Sequence, residues 1–256
     1  MKIAYIGIDL FYPAPLWLQN AGAEIAEVFT CKTDNVTEFN TKIIAFAKEN
    51  KIPYTLSRIT AEDIKRLRES GVHAAVCAGY YYKIPVTEDF PIVNIHPSLL
   101  PLGRGSWPMP HAILSGAKKS GVTIHKIAEG FDTGDILMQE SFNLAKDENL
   151  DTFMEKALGL LPDMLKRLVK NFDSLWRGAK KQGEGEYIAA QTEKDWTVTA
   201  DMAADTADGI LRAFYGYECI YAGKNGNAMI HRGRARKGEP LGQKLPLTDG
   251  YIEIIE

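Results

Sequence analysis

Over roughly the first 115 residues, short apolar runs alternate with helix-patterned segments, and this alternation limits the chain to few architectures. In Lys2 to Asp9, Ile3, Ala4, Tyr5 and Ile6 stand consecutively, as in a strand buried on both faces. A helix is expected at Ala14 to Gly22, a strand at Glu24 to Phe29, and a second helix from Thr37 in TEFNTKIIAFAKENK. Short IPYTL leads to TAEDIKRLRES, which opens with the capping pattern Thr60, Glu62, Asp63 and stops at Gly71. AAVCAG then reads as another buried strand. The fold class this implies is α/β, Rossmann-like, with a mainly parallel sheet and helices on both faces.

The first turn, IGIDLFYPAP, holds a single glycine, Gly7, and lacks GxGxxG. Close approach to a pyrophosphate needs those glycines, so a bound NAD is disfavoured. Downstream, SWPMPHAILSG suggests a short helix with Pro108 and Pro110 at its start. GVTIHKIA (Gly121 to Ala128) and DILMQESFNL read as strands, paired antiparallel because the loop between them is short. A helix from Leu150 to about Asn171 completes a first domain, expected over 1–185. KKQGEGEY reads as a polar linker. Residues 186–256 carry one helix-patterned section and several short β-like pieces, a small, mostly β, reduced OB-like domain.

With 45% hydrophobic and 25% charged residues, the 256-residue chain has the composition of a soluble globular protein. The net charge of −3 does not suggest a surface built for nucleic acid. Three cysteines, Cys31, Cys77 and Cys219, share no short spacing, which argues against a disulfide framework or a zinc site and for a reducing, cytoplasmic setting. No membrane-length apolar run and no secretory leader pattern is present, so neither export nor membrane insertion is expected.

The chemistry concentrates in PIVNIHPSLLPLGRG, residues 91 to 105. Asn94 and His96 lie two apart on a strand, so both side chains leave the same face. The crevice outside strand carboxyl ends is where open α/β sheets bind ligands. An imidazole there passes protons near neutral pH, and an amide stabilises a developing oxyanion. A carboxylate would hold the imidazole and stabilise its cation; Asp132 in FDTGD is the candidate, with Asp135 its rival. Ser98 lacks the GxSxG context of a hydrolase nucleophile. The simplest chemistry is therefore direct transfer of a carbonyl group between a bound donor and acceptor. His125 and Arg104 lie near the same loops, the first facing the acceptor or packed in its strand, the second meeting a phosphate or solvent.

NIHPSLLP followed by RG, and then GVTIHKIAEGFDTGDIL, resembles the folate-dependent formyltransferases that act on methionyl-tRNA, on glycinamide ribonucleotide and on amino sugars. The likeness is strongest over Val72 to Leu144 and fainter in DWTVTADMAADTADGILRAF. It implies 10-formyltetrahydrofolate as donor, an amine acceptor, no metal, and a catalytic set of Asn94, His96 and Asp132. In that scheme Asn94 and protonated His96 hold the oxyanion while Asp132 favours the cation. It also implies a folate wall at Tyr81, Tyr82, Lys83 and Ile84 in AGYYYKIP, and at Glu129, Gly130 and Phe131. The run of three tyrosines, Tyr80 to Tyr82, departs from the family's usual single aromatic.

The resemblance leaves the acceptor to the details. FTCKTDNVTEFN is short and not basic, unlike the tRNA-reaching insertion of the methionyl-tRNA enzymes, and the chain is shorter at its C-terminal end than those enzymes. These features favour a nucleotide-linked amino sugar, with methionyl-tRNA as the alternative because HRGRARK (His231 to Lys237) and the appended domain offer charge to RNA. A folate hydrolase using the same three residues is a further alternative. Similar sugar enzymes dimerise through the C-terminal part, so a homodimer is a possible assembly.

Overall fold

The computed structural model describes residues 1–35, 38–224, 226–239 and 244–255. In chain order come β1 (Lys2–Gly7), α1 (Ala14–Asn20), β2 (Glu24–Phe29), α2 (Thr41–Glu49), β3 (Tyr54–Thr55), α3 (Ala61–Glu69), β4 (Ala74–Ala78) and β5 (Ile92–His96). Then follow β6 (Arg104–Gly105), α4 (Pro108–Leu114), β7 (Lys119–Lys126), β8 (Ile136–Asn143) and α5 (Leu150–Arg177). The start expected for α2 at Thr37 falls outside the described residues, and the helix runs from Thr41.

The chain divides into two compact units. The first comprises Met1–Arg104, Gly121–Ser141 and Ala157–Glu186. Its seven-stranded sheet has the order β3-β2-β1-β4-β5-β7-β8. β1, β2, β3, β4 and β5 pair parallel, and β7 runs antiparallel to β5. The order reverses between β1 and β4, the place where such sheets open a crevice at their carboxyl ends. The apolar run of β1 is buried from Ile3 onward. One core cluster joins Ala4 and Ile6 to Phe29, Ile64, Leu67, Cys77 and Ile92. The α3 capping pattern forms as a reciprocal pair: Thr60 Oγ1 accepts from the Asp63 N–H at 3.2 Å, and the Asp63 carboxylate accepts from the Thr60 N–H at 2.9 Å.

The first turn serves protein rather than phosphate. A Cβ at Gly7 would stand 2.3 Å from the Ala78 carbonyl oxygen, so this glycine admits a neighbouring strand. Asp9 in the same turn accepts from the Lys42 and Ile43 N–H groups, each at 2.9 Å, and so supplies the negative charge that the amino end of α2 favours. α5 continues past the expected end at Asn171, where the backbone leaves helical geometry (φ −128, ψ 25). Phe172 and Trp176 carry the continuation, stacked at 6.0 Å with the Lys126 ammonium 4.7 Å above the indole.

The segment read as a linker is not free. Lys180 exchanges backbone hydrogen bonds with Ile136 at 2.8 and 2.9 Å. Glu186 O accepts from the Arg104 N–H at 3.2 Å, and a Cβ at Gly185 would stand 2.1 Å from Pro101 O. All of its residues but Gln182 are exposed, so its polar, glycine-rich composition suits a segment that faces solvent while parts of its backbone are hydrogen-bonded.

The second unit gathers Gly105–Ser120, Phe142–Lys156 and Tyr187–Glu256. It adds β9 (Tyr187–Ile188), β10 (Thr197–Thr199), α6 (Ala204–Ala213), β11 (Cys219–Gly223), β12 (Gly226–Ile230), β13 (Gly233–Lys237), β14 (Leu245–Pro246) and β15 (Gly250–Ile254). Two three-stranded sheets form, β10-β11-β12 and β13-β15-β14, with α6 packed on α4 and β13. Trp107, Phe214 and Tyr217 make an aromatic cluster, Trp107 and Tyr217 meeting edge-on at 4.4 Å. Pro108 opens α4, where a missing N–H costs nothing. Among the described residues, no helix is long and apolar enough to cross a membrane.

Candidate active site

β5 delivers Asn94 and His96 to one face, and antiparallel pairing with β7 sets His125 opposite Asn94. The turn after β7 brings Asp132 to the same place. From Asp132 Oδ1, Asn94 Nδ2 stands at 3.4 Å, His125 Nε2 at 3.5 Å and His96 Nδ1 at 3.7 Å. Asp132 adopts φ 54, the left-handed region that Asp tolerates better than most residues. Gly134 beside it leaves no room for a Cβ, which would fall 1.9 Å from the Lys126 oxygen. Asp135 takes another place, with its carboxylate 3.5 Å from Lys126 Nζ.

Partners fix the tautomers. A carbonyl oxygen only accepts, so His96 Nε2 donates to Gly103 O at 2.7 Å and the proton-accepting nitrogen, Nδ1, faces Asp132. By the same rule His125 Nδ1 donates to Lys126 O at 2.8 Å, leaving Nε2 to accept from the Asn94 amide at 3.2 Å. Burial pushes the His96 imidazole below its ordinary value, against the opposing pull of Asp132 and of the Gly103 carbonyl. The lowered value favours the neutral ring at rest, and the protonated ring of the expected scheme would then form during the reaction.

The loop from Pro97 to Gly103 is locked from below. Thr123 Oγ1 donates to Ser98 O at 2.6 Å and accepts from the Leu100 N–H at 3.2 Å, while the Gln139 amide donates to Leu100 O at 2.6 Å. Ser98 Oγ donates to Leu102 O at 2.8 Å, so its hydroxyl serves the loop. Arg104 is half-buried and donates to Gln182, at 3.1 and 2.9 Å, and to Gly183 O, at 2.9 Å, so those donors serve the protein.

The residues assigned to a folate wall divide into two groups. Tyr81 and Phe131 expose their rings, at 46% and 56%. Tyr82 lies edge-on to Tyr80 at 5.6 Å and under the Arg58 guanidinium at 4.1 Å. Lys83 pairs with Glu129 at 3.1 Å, joining the two segments, and Gly130 O accepts from Thr133 Oγ1 at 3.0 Å. Ile84 is buried in the core cluster with Ile59, Ile64 and Phe90, because its apolar side chain gains more there than at a polar rim. Tyr80 also packs on that cluster, its hydroxyl accepting from the Ile59 N–H at 3.2 Å. Among the described residues, no group of His, Cys, Asp or Glu is arranged to hold a metal ion.

Sequence reasoning left His125 between two roles and passed over Gln182. No local pattern distinguishes the latter from a solvated loop glutamine.

A family model described as Formyl transferase matches residues 18–169, more than half of the chain. The chain belongs to the formyl transferase family. It is similar to the methionyl-tRNA formyltransferase of Anaplasma marginale (strain St. Maries), 30% identical over 226 residues, covering 84% of this chain and 74% of the relative. It is 33% identical over 167 residues to the methionyl-tRNA formyltransferase of Ehrlichia ruminantium (strain Gardel), covering 64% of this chain. That match spans 54% of the relative, about half its length. Among solved structures, a sugar N-formyltransferase from Shewanella sp FDAARGOS_354 aligns with a TM-score of 0.70 at 18% identity, over 93% of this formyl transferase family member and 99% of that chain. At that identity the likeness concerns the fold.

Proposed function

We propose that this formyl transferase family member moves the formyl group of 10-formyltetrahydrofolate to a primary amine. The observation that carries the reading is the convergence of Asn94, His96 and His125 on Asp132 Oδ1, between 3.4 and 3.7 Å. The donor supplies an electrophilic formyl carbon. Its ring system fits the exposed faces of Tyr81 and Phe131, bounded by Tyr82, Lys83, Glu129 and Gly130, with Ile84 supporting from the core.

Each polar group then has a task. The Asn94 amide carries two N–H donors, one held by His125 Nε2 at 3.2 Å and the other by Asp132 Oδ1 in a longer contact at 3.4 Å; the longer one is the donor that would turn to the oxygen gaining charge as the amine adds. Neutral His96 takes the amine's proton at Nδ1, and Asp132 stabilises the resulting imidazolium. Because Nε2 stays on Gly103 O, the ring keeps its orientation through the proton transfer. The same nitrogen returns the proton to the leaving nitrogen.

For the acceptor, methionyl-tRNA stands first, on the names of the curated relatives. A nucleotide-linked amino sugar is the second reading, and a specific observation favours it. The basic run from Arg232 through β13 is paired within the protein: Arg232 with Asp151, Arg234 with Asp208, Arg236 with Glu253 and Lys237 with Asp205. Phosphate binding would have to break those pairs. The test is turnover of 10-formyltetrahydrofolate by purified protein with methionyl-tRNA, with nucleotide-linked 3-amino and 4-amino sugars, and with no acceptor. Formylated methionyl-tRNA supports the first reading and a formylated sugar the second. Donor loss without acceptor identifies a hydrolase, and no loss under any condition removes the reading.

A further inference from the structure

Gln182 lies far along the chain from Asn94, His96 and Asp132, in the segment whose composition suggested a linker, yet it is spent entirely on their surroundings. Its amide nitrogen donates both hydrogens inward, to Asp132 O at 2.9 Å and to Gly134 O at 2.6 Å. Its oxygen accepts from Arg104 Nε at 3.1 Å and from a second guanidinium nitrogen at 2.9 Å. The orientation is fixed by chemistry, because a flipped amide would set oxygen against two carbonyls and its NH2 against a guanidinium. Arg104 is anchored in turn by Gly183 O at 2.9 Å and directly follows Gly103, whose carbonyl holds His96 Nε2 at 2.7 Å. A continuous strap therefore runs from the His96 loop through Arg104 and Gln182 to the Asp132 turn.

The turn needs such a restraint. Asp132 sits at φ 54, where a side-chain-bearing residue is held only by its surroundings, and its carboxylate must stay within reach of His96 Nδ1, 3.7 Å away. We infer that Gln182, braced by Arg104, is a positioning residue that sets the Asp132 carboxylate against His96 by clamping the backbone on either side of Thr133. The inference rests on the reading of Asn94, His96 and Asp132 as the reacting set. Gln182 itself touches no reacting group; it acts through the turn.

The conservative variant Gln182→Glu keeps the size and strengthens the contact with Arg104, but at neutral pH it cannot donate to either carbonyl. Its kcat is expected to fall about 10- to 100-fold, as for a displacement of about an ångström, with KM for the donor within about threefold and Tm near wild type. Arg104→Lys, which retains charge but loses the two-pronged contact, is expected to fall between wild type and Gln182→Glu. An activity-independent measurement accompanies these: the His96 ring signals in NMR spectra, assigned among the five histidines by their absence in His96→Ala. They are expected to move in Gln182→Glu. Wild-type kcat in Gln182→Glu, a loss confined to KM, or unmoved His96 signals overturns the inference. If Gln182→Glu does not fold, Arg104→Lys decides by the same readouts. If the wild-type protein transfers no formyl group to any acceptor, the functional reading fails, while the NMR comparison still decides whether Gln182 positions Asp132.

Discussion

Asp132 and Asp208 are both largely buried carboxylates, their side chains 13% and 16% exposed, and each is met by nitrogen-bearing side chains. They are held in opposite ways. Asp208 takes short, direct hydrogen bonds from Arg234 at 2.6 and 3.1 Å, from Arg212 at 2.8 Å and from the Ala235 N–H at 3.1 Å. Burial works to raise its carboxyl, but the two arginines outweigh burial and leave it lowered. Asp132 is faced by an amide and two imidazoles at 3.4 to 3.7 Å, none of which carries a fixed charge. A carboxylate gripped by permanent cations is structure. One set beside a ring that would gain its charge only during the proposed reaction is the arrangement that chemistry would use.

The largest expected effect tests the poised side. His96→Ala should cut formyl transfer by on the order of 100- to 10,000-fold while donor binding survives, because the proposed donor wall, with the exposed rings of Tyr81 and Phe131, does not include the buried imidazole. Steady-state rates with a separate binding titration check this, and retained transfer sinks the role. Asp132→Asn should follow, with a loss of at least about 100-fold and little change in Tm, since the amide cannot stabilise imidazolium. Asp135→Asn is the control: its carboxylate pairs with Lys126 at 3.5 Å, and the rate should stay within about threefold. A worse lesion at Asp135 than at Asp132 reverses the assignment.

The gripped carboxylate should fail differently. Asp208→Ala strands two partly buried guanidinium groups, whose side chains are 15% and 19% exposed. The expected loss is about 2 kcal/mol of stability, less than for a fully buried pair, read as a fall in denaturation midpoint. Any transfer activity of the folded fraction should persist. Acid separates the two sites in wild type. His96 is lowered by burial, so the unfolded chain binds that proton first, and the site loses stability as pH falls below 6.5 towards its folded value. Asp208 is also lowered, but from 3.8; its contribution is present above that pH and is lost as pH falls below it through the folded value. The acid limb of kcat/KM should correspondingly lie below 6.5, and a limb above it would contradict a neutral His96.

The same contrast explains what could be read in advance. Strand and helix alternation needs only local hydrophobic periodicity, so the parallel sheet, the α3 capping pair and the shared face of Asn94 and His96 were legible residue by residue. The turn that carries Asp132 was legible because its flanking glycines announce it. Gln182 was not, since its partners, Arg104 and the Asp132 and Gly134 carbonyls, are 48 to 78 positions away. The burial of Ile84 was not legible for a related reason: the pattern around it identifies an apolar residue after a strand but not the direction in which the loop turns it. The linker read in KKQGEGEY, Lys180 to Tyr187, contains the point after Glu186 where the two units divide, but polarity and glycine do not tell a loose tether from an exposed segment whose backbone is hydrogen-bonded at Lys180 and Glu186.

The smallest expected effect decides how the basic strand is understood. Arg236 lies in β13 with its guanidinium 3.8 Å from Glu253, and both side chains are about half exposed, at 51% and 43%. An exposed pair of this kind contributes about 0–1 kcal/mol, so Arg236→Ala should barely move the denaturation midpoint. If the strand is neutralised within the protein, the variant should also leave KM for every acceptor unchanged and its dependence on salt unaltered. If methionyl-tRNA is the acceptor and β13 meets its phosphates, KM for the tRNA should rise, and the salt slope should fall by about one contact. A change in neither KM nor slope, together with transfer to methionyl-tRNA, would place the RNA contact elsewhere and leave Arg236 to the same structural class as Arg234 on Asp208.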